Sequence, residues 1–330
     1  MHQTRKRSLT DSVFRFSKNQ PILLLFLAFL IAMVILRPHF MSVTNVRNIL
    51  IDASIYGVAA LAMTIAIICG EFDLSLSANF GWSQIFFCYL LNTWGDRAGG
   101  IVASLVCVLV VSTLIGCVNG LIVVKGKISA FIATLGTNMI IRGLALLFIG
   151  GEMINTSNEF ITEFGRGAFL GISYITYVFI AVVLVAFFVM RYTRFGRNIY
   201  ATGGNYNSAK LSGIKVDRYK FSIFSILGFA AGLAAALFVC LMRSGSVLYG
   251  TDLALTCVAA TVIGGTPLSG GRGNVIKTVL GIILLYVLYR ALSFLGIHGY
   301  YNNMIKGGVI MTVVMIDAYF TRSGLVARGK

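Results

Sequence analysis

Charge is scarce in this chain. Aspartate, glutamate, lysine and arginine make up 12% of its 330 residues, about half the quarter usual in soluble domains. That shortage excludes an ordinary water-soluble globule. Acid is the rarer sign, with 11 Asp and Glu against 27 Lys and Arg and a formal net charge of +16. In a soluble chain such an excess would point to nucleic acid. In a membrane chain it has a simpler source, basic residues in cytoplasmic loops, so no nucleic-acid partner is expected.

Histidine is nearly missing. His2, His39 and His298 are scattered without metal-ligand spacing, so no metal site is expected. No serine, cysteine or histidine constellation suggests a nucleophile. No phosphate-binding loop of the Walker A kind is present either. In "GLIVVKGKIS" (120–129) the first glycine stands one position too early, and isoleucine occupies the place of the magnesium-binding hydroxyl. "GGTPLSGGRGN" (264–274) is glycine-rich but lacks a lysine-serine pair, and reads as a tight turn. The chain is therefore expected to hydrolyse no ATP and to carry no catalytic residue or cofactor of its own. Its six cysteines all lie in or beside apolar runs and read as small core residues.

What the chain has in abundance is apolar sequence, 58% of the total. Repeated runs approach the ~17–25 residues that cross a bilayer, which makes this an all-α polytopic membrane protein. Ten spans are predicted, at 21–36, 49–69, 77–91, 101–123, 129–149, 172–190, 221–241, 253–264, 275–296 and 301–319, the third and eighth being short. They form a single membrane domain over 1–330. The basic segment 1–20 precedes an apolar run with no small-x-small cleavage site after it, so it reads as a cytoplasmic tail before an uncleaved first span.

Loop charges orient the spans. Arg5, Lys6, Arg7, Arg15, Lys18, Lys125, Lys127, the cluster in 191–220, Arg272, Lys277 and the C-terminal Arg322, Arg328 and Lys330 fall on one side. Only Arg37, Arg47, Arg97, Arg166 and Arg243 fall on the other. The positive-inside rule then places both termini in the cytoplasm. Within the spans, Asp52 is expected to approach Arg290 or Lys306, because an unpaired buried charge is costly.

Two stretches echo each other. "DLSLS" (73–77) and "DLALT" (252–256) each follow closely on a glycine and each open a short span, the first at an inner turn and the second at an outer one. That is the pattern of an inverted repeat, and such corresponding segments mark transport pathways. Within "GEFDLSLS" (70–77), Asp73 is expected to cap the third span, its carboxylate accepting from first-turn amides at the positive end of the helix dipole. Ser75 joins it as a pathway candidate. The fifth span adds a stripe of Thr134, Thr137, Asn138 and Arg142 at helical spacing. Such a stripe can line a pathway for a neutral solute or bond helices together.

The longest and most basic inner loop is "RYTRFGRNIYATGGNYNSAKLSGIKVDRYK" (191–220). Its glycines suggest a turn, Asn205 or Asn207 can cap a helix, and "SAKLSG" supplies about one and a half turns ending at Gly213. A short surface helix of this kind suits contact with a soluble partner. A plain basic loop beside anionic lipid is the other reading.

"ATGGNYNSAKLSGI" resembles the cytoplasmic segment of permeases from the ribose-type sugar ABC importers. "GEFDLSLS", "FIATLGTNMIIRGLAL" (131–146), "AATVIGGTPLSGGRGN" (259–274) and "YYNNMIKGGVIMTVVMID" (300–317) are similar to further segments of that family, in the same order. The resemblance covers roughly 45–318. It implies a dimeric permease, paired with a second copy or a paralogue, in the bacterial inner membrane. It also implies ATP-binding cassette subunits that bind ATP and magnesium, and an extracytoplasmic solute-binding protein. By the same resemblance, Gly203, Gly204, Asn205, Ala209, Ser212 and Gly213 would belong to the helix that couples the permease to the ATPase. Glu71 departs from the family, which has a small residue there. A gradient-driven transporter and a non-transporting membrane scaffold are the alternatives left open by the residues alone.

Overall fold

The computed structural model describes residues 21–95 and 97–296, with isolated positions between 301 and 315. The tenth predicted span and both termini lie largely outside the described residues. Nine long or apolar helices occupy the other predicted spans. These are α1 (Pro21–Leu36), α2 (Val43–Ile68), α3 (Leu76–Trp94), α4 (Ala98–Gly126), α5 (Ala130–Ile149), α7 (Tyr174–Tyr192), α10 (Val216–Met242), α11 (Leu253–Ile263) and α12 (Val275–Phe294). Among them α2, α4, α5, α7, α10 and α12 are long and apolar enough to cross a membrane. The chain is thus an all-α multi-pass membrane protein. Helices are the expected solution, because a backbone in hydrocarbon must satisfy its own hydrogen bonds.

Two helices make the centre. Within their most apolar stretches, 89% of α2 and 78% of α10 is buried, against 22% of α4 and 17% of α5. The central pair is rich in small residues, such as Ala59, Ala60 and Ala66 in α2 and Ala231, Ala234 and Ala235 in α10, all fully enclosed. Small residues let helix backbones approach closely where lipid offers no hydrophobic drive for association. At the α4–α10 crossing, a Cβ on Gly116 would lie 2.2 Å from Phe224 O, and one on Gly228 would lie 2.4 Å from Ser112 O.

Short elements decorate the two ends. At one end α6 (Glu159–Arg166), capped by Asn158, packs on the C-terminal turns of α10. Nearby β1 (Ile154–Asn155) pairs antiparallel with β4 (Ser244–Gly245), while β2 (Ala168–Phe169) and β3 (Ile172–Ser173) form a small hairpin. At the opposite end segment 191–220 forms two helices, α8 (Arg194–Gly204) and α9 (Tyr206–Leu211). The expected α9 is present, with Asn205 as its cap. Gly203 and Gly204, however, complete the last turn of α8 and do not form a loop. Glycine is tolerated there because α8 rests directly on the end of α2: a Cβ on Gly203 would sit 1.8 Å from Ile68 O.

Candidate functional site

The chain between α2 and α3 is irregular and buried. Asp73 is only 2% exposed. Its Oδ1 accepts from Ser75 N at 2.7 Å. The capping residue of α3 is Ser75, so Asp73 acts two positions earlier than a cap would and closes the turn into the helix. Asn119 of α4 supports this turn, donating through Nδ2 to Ser75 Oγ at 2.6 Å.

The polar stripe on α5 serves the same turn. Thr134 Oγ1 accepts from Leu74 N at 3.1 Å and donates to Ala130 O at 2.7 Å. Asn138 Nδ2 donates to Leu74 O at 2.6 Å. Both polar groups of one non-helical residue are therefore satisfied by α5, as buried irregular backbone requires. Asn138 stands ~12 Å along α5 from its start, so the break reaches well into the bundle. Thr137 bonds only its own helix, to Ala133 O at 2.9 Å. Arg142 donates to Thr251 O at 3.2 Å, on the segment that leads into α11.

The third span, expected to be short, is a 19-residue helix, and the short helix α11 meets its start. Ala254 N, at the start of α11, donates to Ser77 Oγ, at the start of α3, at 2.9 Å. Gly250 lies against the Phe80 ring, where a Cβ would approach to 2.5 Å. With 11 residues, α11 is only ~16 Å long and spans about half of a ~30 Å hydrocarbon core. The two echoing stretches, "DLSLS" and "DLALT", are thus in direct contact inside the bundle.

Further polar groups line this region that sequence reasoning missed. Asn79 donates to Ser112 O at 3.0 Å and accepts from Ser83 Oγ at 3.2 Å. Gln84 is fully enclosed, and neither atom of its amide has a hydrogen-bond partner among the described residues. A lone amide in an otherwise apolar run was the available signal for Asn119, whereas Gln84 follows Asn79 and Ser83 on the same helix. Toward the β1–β4 end, Arg290 pairs with Asp52, with Nη2 and Nε at 2.7 and 3.1 Å from Oδ2. The expected ion pair is formed with Arg290, and Lys306 lies outside the described residues.

At the α8–α9 end the predicted residues divide into two sets. Gly203 faces the membrane domain and Ala209 is buried, whereas Gly204 is exposed, with Gly271 against its backbone and open space at its side-chain position. Asn205 Oδ1 accepts from Ser208 N at 2.9 Å, and Ser212 Oγ donates to Ser208 O at 2.9 Å. Gly213 follows at φ +82°, the left-handed conformation that ends a helix. The side chain that points away is Leu211, 89% exposed, which sequence reasoning did not single out. Tyr200 Oη donates to Gly273 O at 3.0 Å, and Gly271 N donates to Ile68 O at 2.8 Å. Segment 191–220 therefore rests on the end of α2 and on the glycine-rich turn 264–274 together.

A bundle with two helices broken inside it and a helical platform across one end has the build of a membrane permease. Residues 45–314 match the model of the family described as the permease component of branched-chain amino acid transport systems, and the chain belongs to that family. It is 35% identical over 315 residues to the ribose import permease protein RbsC of Bacillus subtilis (strain 168), covering 95% of this chain and 96% of that one. It is 34% identical to the ribose import permease protein RbsC of Escherichia coli (strain K12), covering 89% and 92%. With the L-arabinose ABC transporter permease protein AraH of Azospirillum brasilense it shares 28% identity, over 93% and 89%. No solved structure matches. These relatives are transport components and not enzymes.

Proposed function

We propose that this chain is the pathway-forming permease subunit of an ATP-driven ABC importer for a small sugar or sugar-like solute. The observation that carries the reading is the near full-length similarity to permeases named for ribose and arabinose, together with the hydrogen-bonding groups gathered around the starts of α3 and α11. A neutral polyol needs bonds that it can make and leave. Asp73, Ser75, Thr134, Thr137, Asn138 and Arg142 are the pathway set of this proposal, extended by Asn119 and Gln84. The unsatisfied amide of Gln84 supports its inclusion, since an unmade buried hydrogen bond costs ~1–3 kcal/mol.

In this proposal the chain has ten spans in an inverted repeat, with both termini in the cytoplasm and the inner membrane as its site. Two such permeases, identical or paralogous, sit on two cassette subunits that bind ATP and magnesium, and an extracytoplasmic binding protein delivers the solute. Segment 191–220 is the coupling element. Asn205, Ser212 and Gly213 shape α9, Gly203, Gly204 and Ala209 seat it against the membrane domain, and Leu211 faces the cassette.

The family's description favours a second substrate class, branched-chain amino acids. One assay separates the two. The permease is reconstituted with its cassette and binding-protein partners, and ATP-dependent uptake of labelled ribose, arabinose, galactose and leucine is measured. Uptake of a sugar is expected. Uptake of leucine alone would transfer the assignment to amino acids, and uptake driven by an ion gradient without ATP would reject the importer. In the same system Leu211→Glu should abolish cassette co-purification with normal membrane levels. Ala209→Glu should lower the level of the permease itself, because its side chain is buried.

A further inference from the structure

One ammonium group joins the proposed coupling element to the first helix break. Lys220, in the first turns of α10, forms an ion pair with Glu71 Oε1. The same Nζ lies 5.2 Å from the ring centroid of Tyr206, the first residue of α9. Glu71 is nearly buried and stands two residues before Asp73. Its own N–H donates to Ala66 O at 2.9 Å, closing the end of α2. The three side chains therefore connect α9, α10 and the turn that carries Asp73.

An open cleft of about 360 Å³ adjoins this junction and separates Asn205 and Tyr206 from Cys69 and Gly70, with Lys220 on its wall. Tyr206 is half exposed. Displacing α9 therefore acts on Lys220 through the Tyr206 ring, and Lys220 acts on Glu71. A cation over an aromatic face is attracted to it within ~6 Å, and a nearly buried carboxylate keeps its counter-ion because an unpaired charge there is costly. Gly203 and Gly271 make firm backbone contacts beside this junction, so the soft route from α9 inward runs through side chains.

We propose that Lys220 is a positioning residue for transport, which relays movement of α9 to the Glu71–Asp73 turn and to the shaft of α10. The proposal rests on the importer reading. The link is electrostatic, one ammonium held between a π face and a carboxylate, with no bond made or broken and no charge transferred.

The test uses the full complex in proteoliposomes, with cassettes and sugar-loaded binding protein. ATPase stimulation, sugar uptake, cassette co-purification and thermal stability are read together. Lys220→Met should lower stimulation and uptake about tenfold, the ratio corresponding to ~1.4 kcal/mol of lost coupling, with unstimulated ATPase and co-purification unchanged. Tyr206→Leu should act in the same direction. Lys220→Arg and Tyr206→Phe should retain function, since each keeps the cation or the ring. Wild-type stimulation in Lys220→Met or in Tyr206→Leu overturns the relay. Because Lys220→Met strands the Glu71 charge, a loss of stability accompanies it; lost co-purification in the Lys220→Met, Glu71→Gln double variant, which strands no charge, would make the pair ordinary packing and also overturns the relay. Absence of stimulation in the wild-type complex would instead overturn the importer reading, and the relay with it.

Discussion

The two breaks, before α3 and before α11, carry nearly the same letters and are built differently. "DLSLS" places Asp73 in full burial, with Ser75 N on its carboxylate and Asn119 on the neighbouring hydroxyl. "DLALT" places Asp252 only half-buried, and the position matching Ser75 is alanine, whose backbone N–H alone is used, by Ser77. The Leu74 peptide is bonded by α5 on both sides, whereas Arg142 reaches only the Thr251 carbonyl near the second break. The shared letters answer a shared backbone demand, the abrupt start of a helix inside the bundle. The side chains around them decide how much polar chemistry each break holds. The first break holds a network closed around Asp73, and the second is tied to it through the bond from Ala254 N to Ser77.

That difference is testable by removing the same atom from both. Asp73→Ala leaves Ser75 N without its acceptor in a closed site, at a cost of ~1–3 kcal/mol. Uptake should fall by at least tenfold, the ratio of ~1.4 kcal/mol, and the melting temperature in detergent should drop. Asp73→Asn keeps an acceptor oxygen and should recover most of the loss. Asp252→Ala should cost clearly less than Asp73→Ala in both measurements. Equal losses would erase the distinction between the two breaks.

The next effect in size concerns the bond between the breaks. Ser77→Ala removes the acceptor of Ala254 N without adding bulk to a buried site. A single hydrogen bond of this kind contributes ~0.5–1.5 kcal/mol. A modest loss of thermal stability is expected, with the larger effect on uptake, because the bond ties the starts of two helices on the proposed path. An unchanged uptake rate would make Ser77 simple packing.

Most helix positions were legible in the sequence for one physical reason: a bilayer demands long apolar runs, and these are visible without tertiary information. Even the shortness of α11 could be read from its run. The network was only half legible. Thr134, Asn138 and Arg142 stood out as a stripe, yet nothing local said that they would bond the backbone at Leu74 and Thr251, residues far away in the chain. Asn119, alone in an apolar stretch, and Gln84, next to Ser83, formed no helical stripe. Helix α8 was hidden by its glycines and charges, because its stability comes from resting on Ile68 and Gly271 and not from its own propensity. The β1–β4 pair joins Asn155 to Ser244 through two-residue strands, too short to leave a periodic signal.

The smallest expected effect separates the stripe's members. Thr137 lies on α5 between Thr134 and Asn138 and was grouped with them by spacing alone. Its hydroxyl bonds only to Ala133 O within the same helix, and its side chain is half-buried. Such a back-bond duplicates an acceptor that the helix already uses, and Thr→Val keeps the branched shape. Thr137→Val should therefore change thermal stability by less than about 0.5 kcal/mol, the range of substitutions that break no named interaction. Thr134→Val, by contrast, removes the acceptor for Leu74 N and should destabilise measurably. If the hydroxyl of Thr137 meets the solute during passage, its loss should raise the KM for uptake while leaving the melting temperature unchanged. If it serves the helix alone, both should stay at wild-type values. A fall in stability equal to that of Thr134→Val would mean that the whole stripe supports the first break, and that the path for the solute runs along another face.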